Sequence, residues 1–152
     1  MGFGGIEMSD ITGKDRILIV DDEWESPIVS AVRRRLDEEG WSTITVEAQS
    51  QWQIGEELEA AAMYAIEEHM PSGVLLDVRL GEYKEDQFRG LEILQKIVER
   101  YPTLPVLMFT QYTQGPDRET AVRGTLKWNA PVDFIDKLAS PEEVVLRLRR
   151  LI

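Results

Sequence analysis

Asp21, Asp22 and Glu23 stand side by side, directly after the apolar run Ile17–Val20. Adjacent like charges repel, and an ionised group held away from water needs a partner. A cation therefore belongs where this run ends. Other reactive residue types fall at comparable places: Asp77 closes "GVLLD", Thr110 closes "PVLMFT" and Lys137 closes "PVDFIDK". Asp21, Asp22, Asp77, Thr110 and Lys137 form a coherent set. Clustered carboxylates suit a hard divalent cation such as Mg2+, which takes one or two of them together with waters and phosphate oxygens. Lys137 can neutralise one phosphoryl oxygen and the Thr110 hydroxyl can donate to another. Asp77, alone at the end of its run, is best placed to act as a nucleophile and form an aspartyl-phosphate. Any one of these residues reads equally well as a strand-end cap or a surface charge. Their shared placement carries the chemistry.

The elements that must position them alternate between two periods. Short apolar runs at Ile17–Val20, Thr43–Val46, Val74–Leu76, Val106–Phe109 and Val132–Ile135 predict strands. Between them, helical spacing predicts five helices. The first starts at Ser26 and Pro27, buries Ile28, Val32 and Leu36, and stops at Gly40. The second buries Ile54, Leu58, Ala61, Ala62, Ala65 and Ile66 and ends before Pro71. The third buries Leu91, Leu94, Val98 and Tyr101, and Pro102 closes it. A weaker helix spans about Pro116 to Lys127. The last opens with the capping box Ser140, Pro141, Glu143 and carries Val144, Leu148 and Leu151. Five nearly all-apolar strands alternating with five helices predict a doubly wound α/β fold, a five-stranded parallel sheet covered on both faces. In such a sheet the ligand site lies beyond the carboxyl ends of the strands, where the five residues collect.

Composition narrows the function classes. The 152 residues are 43% hydrophobic and 30% charged, with 17 basic and 28 acidic side chains for a net charge of −11. That balance disfavours direct nucleic-acid binding, which rests on neutralising phosphates with Lys and Arg. Five glutamates in "GEELEAAAMYAIEEHM" have no basic partner within the stretch and are expected on a solvated helix face. There is no Cys, which excludes disulfides and thiolate metal sites, and the single His69 excludes sites needing two imidazoles. His69 is expected at a helix C-terminus, without a chemical role. No run approaches a membrane span and "MGFGGIEMSD" lacks signal-peptide character, so a cytoplasmic location is expected. Residues 1–14 read as a flexible leader before a single domain over residues 15–152.

The ordered segments "ILIVDDE", "GVLLDVRL", "GLEILQKI", "PVLMFT" and "FIDK" resemble the receiver domain of two-component response regulators, the CheY-like phosphoacceptor domains with a flavodoxin-like fold. The resemblance covers residues 17–137, and the helices extend it to about residue 151. It implies Asp77 as phosphoacceptor, and Mg2+ held by Asp22, Asp77 and the backbone carbonyl of Arg79, with Asp21 acting through water. Thr110 and Lys137 would bind phosphoryl oxygens. Phe134 matches the aromatic switch position that follows the Thr, linking the site to the surface of the fourth helix, fifth strand and fifth helix. The implied partners are a sensor histidine kinase or phosphotransfer protein, an effector domain or downstream protein, and a second copy in a homodimer. The implied role is phosphoacceptor, not enzyme. The closing "VVLRLRRLI" reads as the end of a single-domain regulator or of a receiver within a longer protein.

Three departures from the family pattern matter. The loop "VRLGEYKEDQFRG" over residues 78–90, with its insertion at 79–90, is several residues longer than usual and is expected as a polar surface insertion. Gln111 stands where a small residue is usual, and with Tyr112 it is expected to slow phosphorylation or shield the acyl phosphate from water. Leu138 replaces the usual Pro after Lys137, so a trans peptide bond is expected there. Trp24 is expected near the metal. Two other readings remain: a pseudo-receiver that binds partners without phosphorylation, and an Asp-nucleophile phosphohydrolase. The second is weakened by Arg79, which stands where such enzymes carry a second Asp.

Overall fold

The computed structural model describes residues 16–46, 54–81, 84–112 and 114–152; the expected leader over 1–14 lies outside them. The elements are β1 (Arg16–Val20), α1 (Pro27–Glu38), β2 (Ser42–Thr45), α2 (Ile54–His69), β3 (Gly73–Leu76), a 3-10 turn (Lys84–Asp86), α3 (Arg89–Arg100), β4 (Val106–Thr110), α4 (Arg118–Leu126), β5 (Val132–Asp136) and α5 (Pro141–Leu151). All strand pairs are parallel in the order β2-β1-β3-β4-β5. The chain runs from β1 outward to β2, then returns to β3 on the other side. The order therefore reverses between β1 and β3, beneath Asp21 and Asp77.

The pleat sorts side chains into two cores. Ile17, Ile19, Leu75, Leu107, Phe109 and Ile135 face α1 and α5. Leu18, Val20, Val74, Leu76, Val106 and Met108 face α2, α3 and α4. Each fully buried aliphatic side chain contributes about 1.5–3 kcal/mol relative to exposure. Two helix starts are fixed locally. The Ser26 hydroxyl accepts from the Val29 amide at 3.3 Å and Ser140 from Glu143 at 3.2 Å, each with a proline following the cap.

Several expected details are corrected. Ile28 is 41% exposed and Val29, Val32 and Leu36 form the buried face of α1. Positions 29 and 36 are seven apart, close to two full turns, whereas 28 and 36 are eight apart and about 80° out of phase. In α3 the buried stripe is Ile93, Leu94 and Ile97, while Leu91, Val98 and Tyr101 are half-buried along its flanks. The second strand ends at Thr45, with Val46 buried just beyond it, and α4 is shorter than the sequence suggests. In α2 the side chains of residues 54–56 lie outside the description, and Leu58, Ala62, Ala65 and Ile66 are buried with Ala61 half-buried. The α2 glutamates do find cations: Glu59 pairs with Lys96 and lies 3.9 Å from Arg89, and Glu67 lies 3.4 Å from Arg100. Partners on α3 are invisible to a local reading of α2.

The lengthened loop is also no loose polar insertion. Leu80 is fully buried and Asp86 is 5% exposed. The Leu80 amide donates to the Asp86 carbonyl at 3.3 Å, and Arg89 lies 3.4 Å from the Asp86 carboxylate. Gly81 takes φ +132, and a Cβ there would overlap the Asp86 carboxylate at 2.2 Å. Gly90 then seats the start of α3 against the site strand: its amide donates to the Val78 carbonyl at 2.7 Å, and a Cβ on it would lie 1.9 Å from the Asp77 carbonyl oxygen. Backbone cannot yield as a flexible side chain can. Gly90→Ala is expected to destabilise the protein by about 3 kcal/mol, lowering the melting temperature by about 6–12 °C. An unchanged melting temperature would mean that α3 slides freely at its start.

Candidate functional site

Strand register builds the site. Val20 pairs with Leu76, so Asp21 and Asp77 leave adjacent strand ends together, and the Asp77 amide donates to the Val20 carbonyl at 3.0 Å. Thr110 pairs with Asp136, so Lys137 follows at the same edge, its amide donating to the Thr110 carbonyl at 2.9 Å. The structure thus brings together all five residues expected from the strand ends.

Lys137 is the centre. Its Nζ lies 2.9 Å from Asp21 Oδ2 and 2.9 Å from Asp77 Oδ2, donating a hydrogen bond to the latter. It also sits 5.8 Å from the centroid of the Phe109 ring. The peptide after it is trans, as expected for Leu138, and the ammonium still reaches both carboxylates. Leu138 itself is 84% exposed. Asp21 is 2% exposed and Asp77 6%. Asp21 Oδ1 accepts from the Glu23 amide at 2.8 Å, and Asp77 Oδ1 from the Arg79 amide at 3.4 Å.

Burial and crowding set the electrostatics. Desolvation, then the charge of Asp21, pushes the Asp77 carboxyl up to about 7, although Lys137 opposes the shift. Desolvation and the neighbouring Asp21 and Glu23 raise Asp22 to about 6. Burial works against the Lys137 charge, but Asp77 and Asp21 together outweigh it and hold its pKa above the usual lysine value. One ammonium does not neutralise three carboxylates.

The donors fit a hard divalent cation. Asp21, Asp22 and Asp77 each offer one oxygen, and these lie within 4.8 Å of one another. Among the described residues Asp21 Oδ2 is buried with no hydrogen-bond partner of good geometry, and it lies 2.9 Å from the Lys137 ammonium. That leaves lone-pair capacity directed into the cluster.

The remaining expected residues fall around this centre. Phe134 is half-buried against the α2–α4 core, paired with Met108, one diagonal step from Thr110 on the same sheet face. Gln111 is exposed, and with Glu23, Ser26, Gln114, Lys137 and Leu138 it lines a cleft of 340 Å3. Trp24 turns toward α1, its ring centroid 5.8 Å from the Arg33 guanidinium carbon. His69 ends α2, its carbonyl accepting from Arg16 at 3.5 Å at the start of β1, the opposite end of that strand from Asp21. No helix among the described residues is long and apolar enough to cross a membrane.

Sequence reading overlooked how Thr110 is held. Its Oγ1 accepts from the Tyr112 amide at 3.0 Å, and the Tyr112 ring packs on Phe88 with centroids 5.6 Å apart. The Tyr112 hydroxyl bears on the Arg79 guanidinium and holds its pKa above the usual value, and the Arg79 Nε donates to the Gly81 carbonyl at 2.9 Å. Only the bulk of Tyr112 signalled this in advance.

A model of the response regulator receiver domain family matches residues 17–149. The chain is 33% identical over 137 residues to the probable transcriptional regulatory protein TcrX of Mycobacterium tuberculosis, covering 90% of this chain and 49% of that one. It is 32% identical to NtrX from Brucella abortus, with a TM-score of 0.66 over 90% of this chain and 26% of that chain. A CheY-like receiver domain protein from Methanospirillum hungatei JF-1 is 21% identical, with a TM-score of 0.63 over 90% of this chain and 91% of that chain. This last likeness concerns the fold. The chain spans about half the length of the curated relative it matches.

Proposed function

Because the chain belongs to the response regulator receiver domain family, we propose that it accepts a phosphoryl group on Asp77 and acts as a phosphorylation-controlled signalling module. The observation that carries this reading is Lys137 bridging Asp21 and Asp77 at 2.9 Å on each side. The donor is a phosphohistidine on a sensor histidine kinase or phosphotransfer protein. One Asp77 carboxylate oxygen attacks phosphorus, the P–N bond breaks, its electron pair returns to the imidazole, and an acyl phosphate remains. Lys137 shifts from the carboxylate toward a phosphoryl oxygen as charge builds there. The Thr110 hydroxyl, whose oxygen already accepts from Tyr112, keeps its proton to donate to another. Asp21, Asp22, Asp77 and the Arg79 carbonyl would hold Mg2+, which supplies charge neutralisation between the carboxylates and the incoming phosphoryl group.

Phe134, diagonal to Thr110, takes up the space that Thr110 vacates and passes the change to the α4-β5-α5 surface. That surface meets an effector domain, a downstream protein or a second copy of the chain. The role is that of a phosphoacceptor with at most slow self-dephosphorylation, not of a turnover enzyme.

Intact mass after incubation with acetyl phosphate is expected to show one Mg2+-dependent phosphoryl adduct. No adduct, with Mg2+ bound, would favour a phosphorylation-independent interaction module. Gln111 shields one side of the cleft beside Lys137, so Gln111→Ala is expected to speed loss of the phosphoryl group several-fold. Unchanged rates of gain and loss would show that water reaches the acyl phosphate by another side.

A further inference from the structure

Three groups outside the carboxylate centre converge on Tyr112. Its amide holds the Thr110 hydroxyl, its ring rests on Phe88, and its hydroxyl bears on the Arg79 guanidinium. Arg79 opens the lengthened loop and Phe88 lies near its close, and the described residues between them fold onto one another. Leu80 is buried and bonded through its amide to Asp86, Gly81 lies against the Asp86 carboxylate, and Asp86 pairs with Arg89 at the start of α3. Segments tied this way move together when one end is displaced. Arg79 has a further link to the site, since its amide donates to Asp77 Oδ1.

We infer that Tyr112 is a positioning residue that couples Thr110 to the lengthened loop, so that phosphorylation of Asp77 repositions Leu80, Gly81 and residues 84–88 as well as the Phe134 surface. The inference rests on the phosphoacceptor reading above. The physical basis is the competition at Thr110. A hydroxyl that turns to donate to a phosphoryl oxygen and moves toward it must either draw the Tyr112 amide along or lose that hydrogen bond. Either way the Tyr112 ring changes its seat on Phe88. Phe88 also lines a groove of 660 Å3 between α3 and α4, together with Lys84, Leu91, Arg123 and Lys127. The loop's movement therefore alters this groove, whose other wall is α4. Coupling requires that the site bias two arrangements of the same element, and Tyr112 is the residue that both touch.

The test compares hydrogen exchange of peptides covering residues 80–90 and 130–150, with Mg2+ alone and with Mg2+ plus beryllofluoride as a phosphoryl mimic. Wild type is expected to change exchange at least several-fold in both regions. Tyr112→Ala is expected to bind beryllofluoride and keep the response over residues 130–150 while losing it over residues 80–90. Tyr112→Phe keeps the ring on Phe88 and loses only the hydroxyl that bears on Arg79, so a reduced loop response is expected. A loop response in Tyr112→Ala equal to wild type would overturn the coupling. So would a silent loop in wild type whose 130–150 region responds. If beryllofluoride binds nowhere and acetyl phosphate leaves no adduct, the phosphoacceptor reading falls and the coupling with it.

Discussion

Asp77→Asn is expected to abolish the phosphoryl adduct while raising the melting temperature of the metal-free protein at pH 8. The first effect follows from chemistry, because an amide oxygen does not form the acyl phosphate. The second follows from electrostatics. The folded protein holds the Asp77 carboxyl up at about 7, against an ordinary value of 3.8. A carboxyl whose folded pKa is raised binds more protons in the folded than in the unfolded state between those values, so stability falls as pH rises through that window. Below pH 4 the cost is absent; above pH 7 it is complete. Asparagine never ionises and escapes it, although it gives up the ion pair with Lys137. The net gain at pH 8 is about 1–3 kcal/mol, or about 2–12 °C for a chain of this size. At pH 5 the two proteins should melt close together, since wild-type Asp77 is then mostly protonated. Thermal melts at both pH values, with intact mass beside them, check both effects. A variant less stable than wild type at pH 8 would mean that the Lys137–Asp77 pair outweighs the crowding.

The same balance explains what the sequence made visible. Five residues of telling chemistry sit within two positions of the ends of four of the five short apolar runs, and parallel register carries each to the same sheet edge. The period-two core pattern and the strand-end residues are local signals, and both survive in the structure. The helices are less transparent. In α3 both the face toward the sheet and the flanks toward its neighbours are apolar, so spacing alone does not choose between Leu91 and Ile93. Packing chooses, because Leu91 meets α4 at Gly124 while Ile93 meets the sheet. Contacts that join distant stretches left no trace in the sequence pattern. Glu59 with Lys96 and Tyr112 with Phe88 are separated by long runs of chain, and nothing local marks either. Asp86 looked like one more surface acid in a polar loop, yet it is buried because Leu80 and Gly81 fold over it.

Lys137→Met tests the centre of the site most severely. Methionine fills much of the same volume, so the change removes charge with little loss of packing. Asp21 and Asp77 are then left buried with no ammonium between them. Breaking a buried pair by removing one partner costs about 3–5 kcal/mol, and the destabilisation expected at pH 8 is about 3 kcal/mol because Asp77 can still take up a proton. A loss of packing would cost the same at every pH, whereas this deficit changes with pH. Lys137 has a folded pKa above its ordinary value, so its contribution is fully present throughout the neutral range and fades only above the ordinary lysine pKa. In the variant the Asp77 carboxyl, no longer opposed by Lys137, is pushed further up, protonation replaces the lost cation as pH falls, and at pH 5 the deficit should shrink to about 1 kcal/mol or less. Millimolar Mg2+ at pH 8 is expected to restore part of the stability by the same substitution of charge. Phosphorylation by acetyl phosphate is expected to slow by about a hundredfold or more even with Mg2+ present, since one donor to the phosphoryl oxygens is gone. Equal destabilisation at pH 5 and pH 8 would assign Lys137 a packing role. Destabilisation that follows pH, with phosphorylation rates untouched, would keep the electrostatic account of the fold but transfer the phosphoryl contact to another residue.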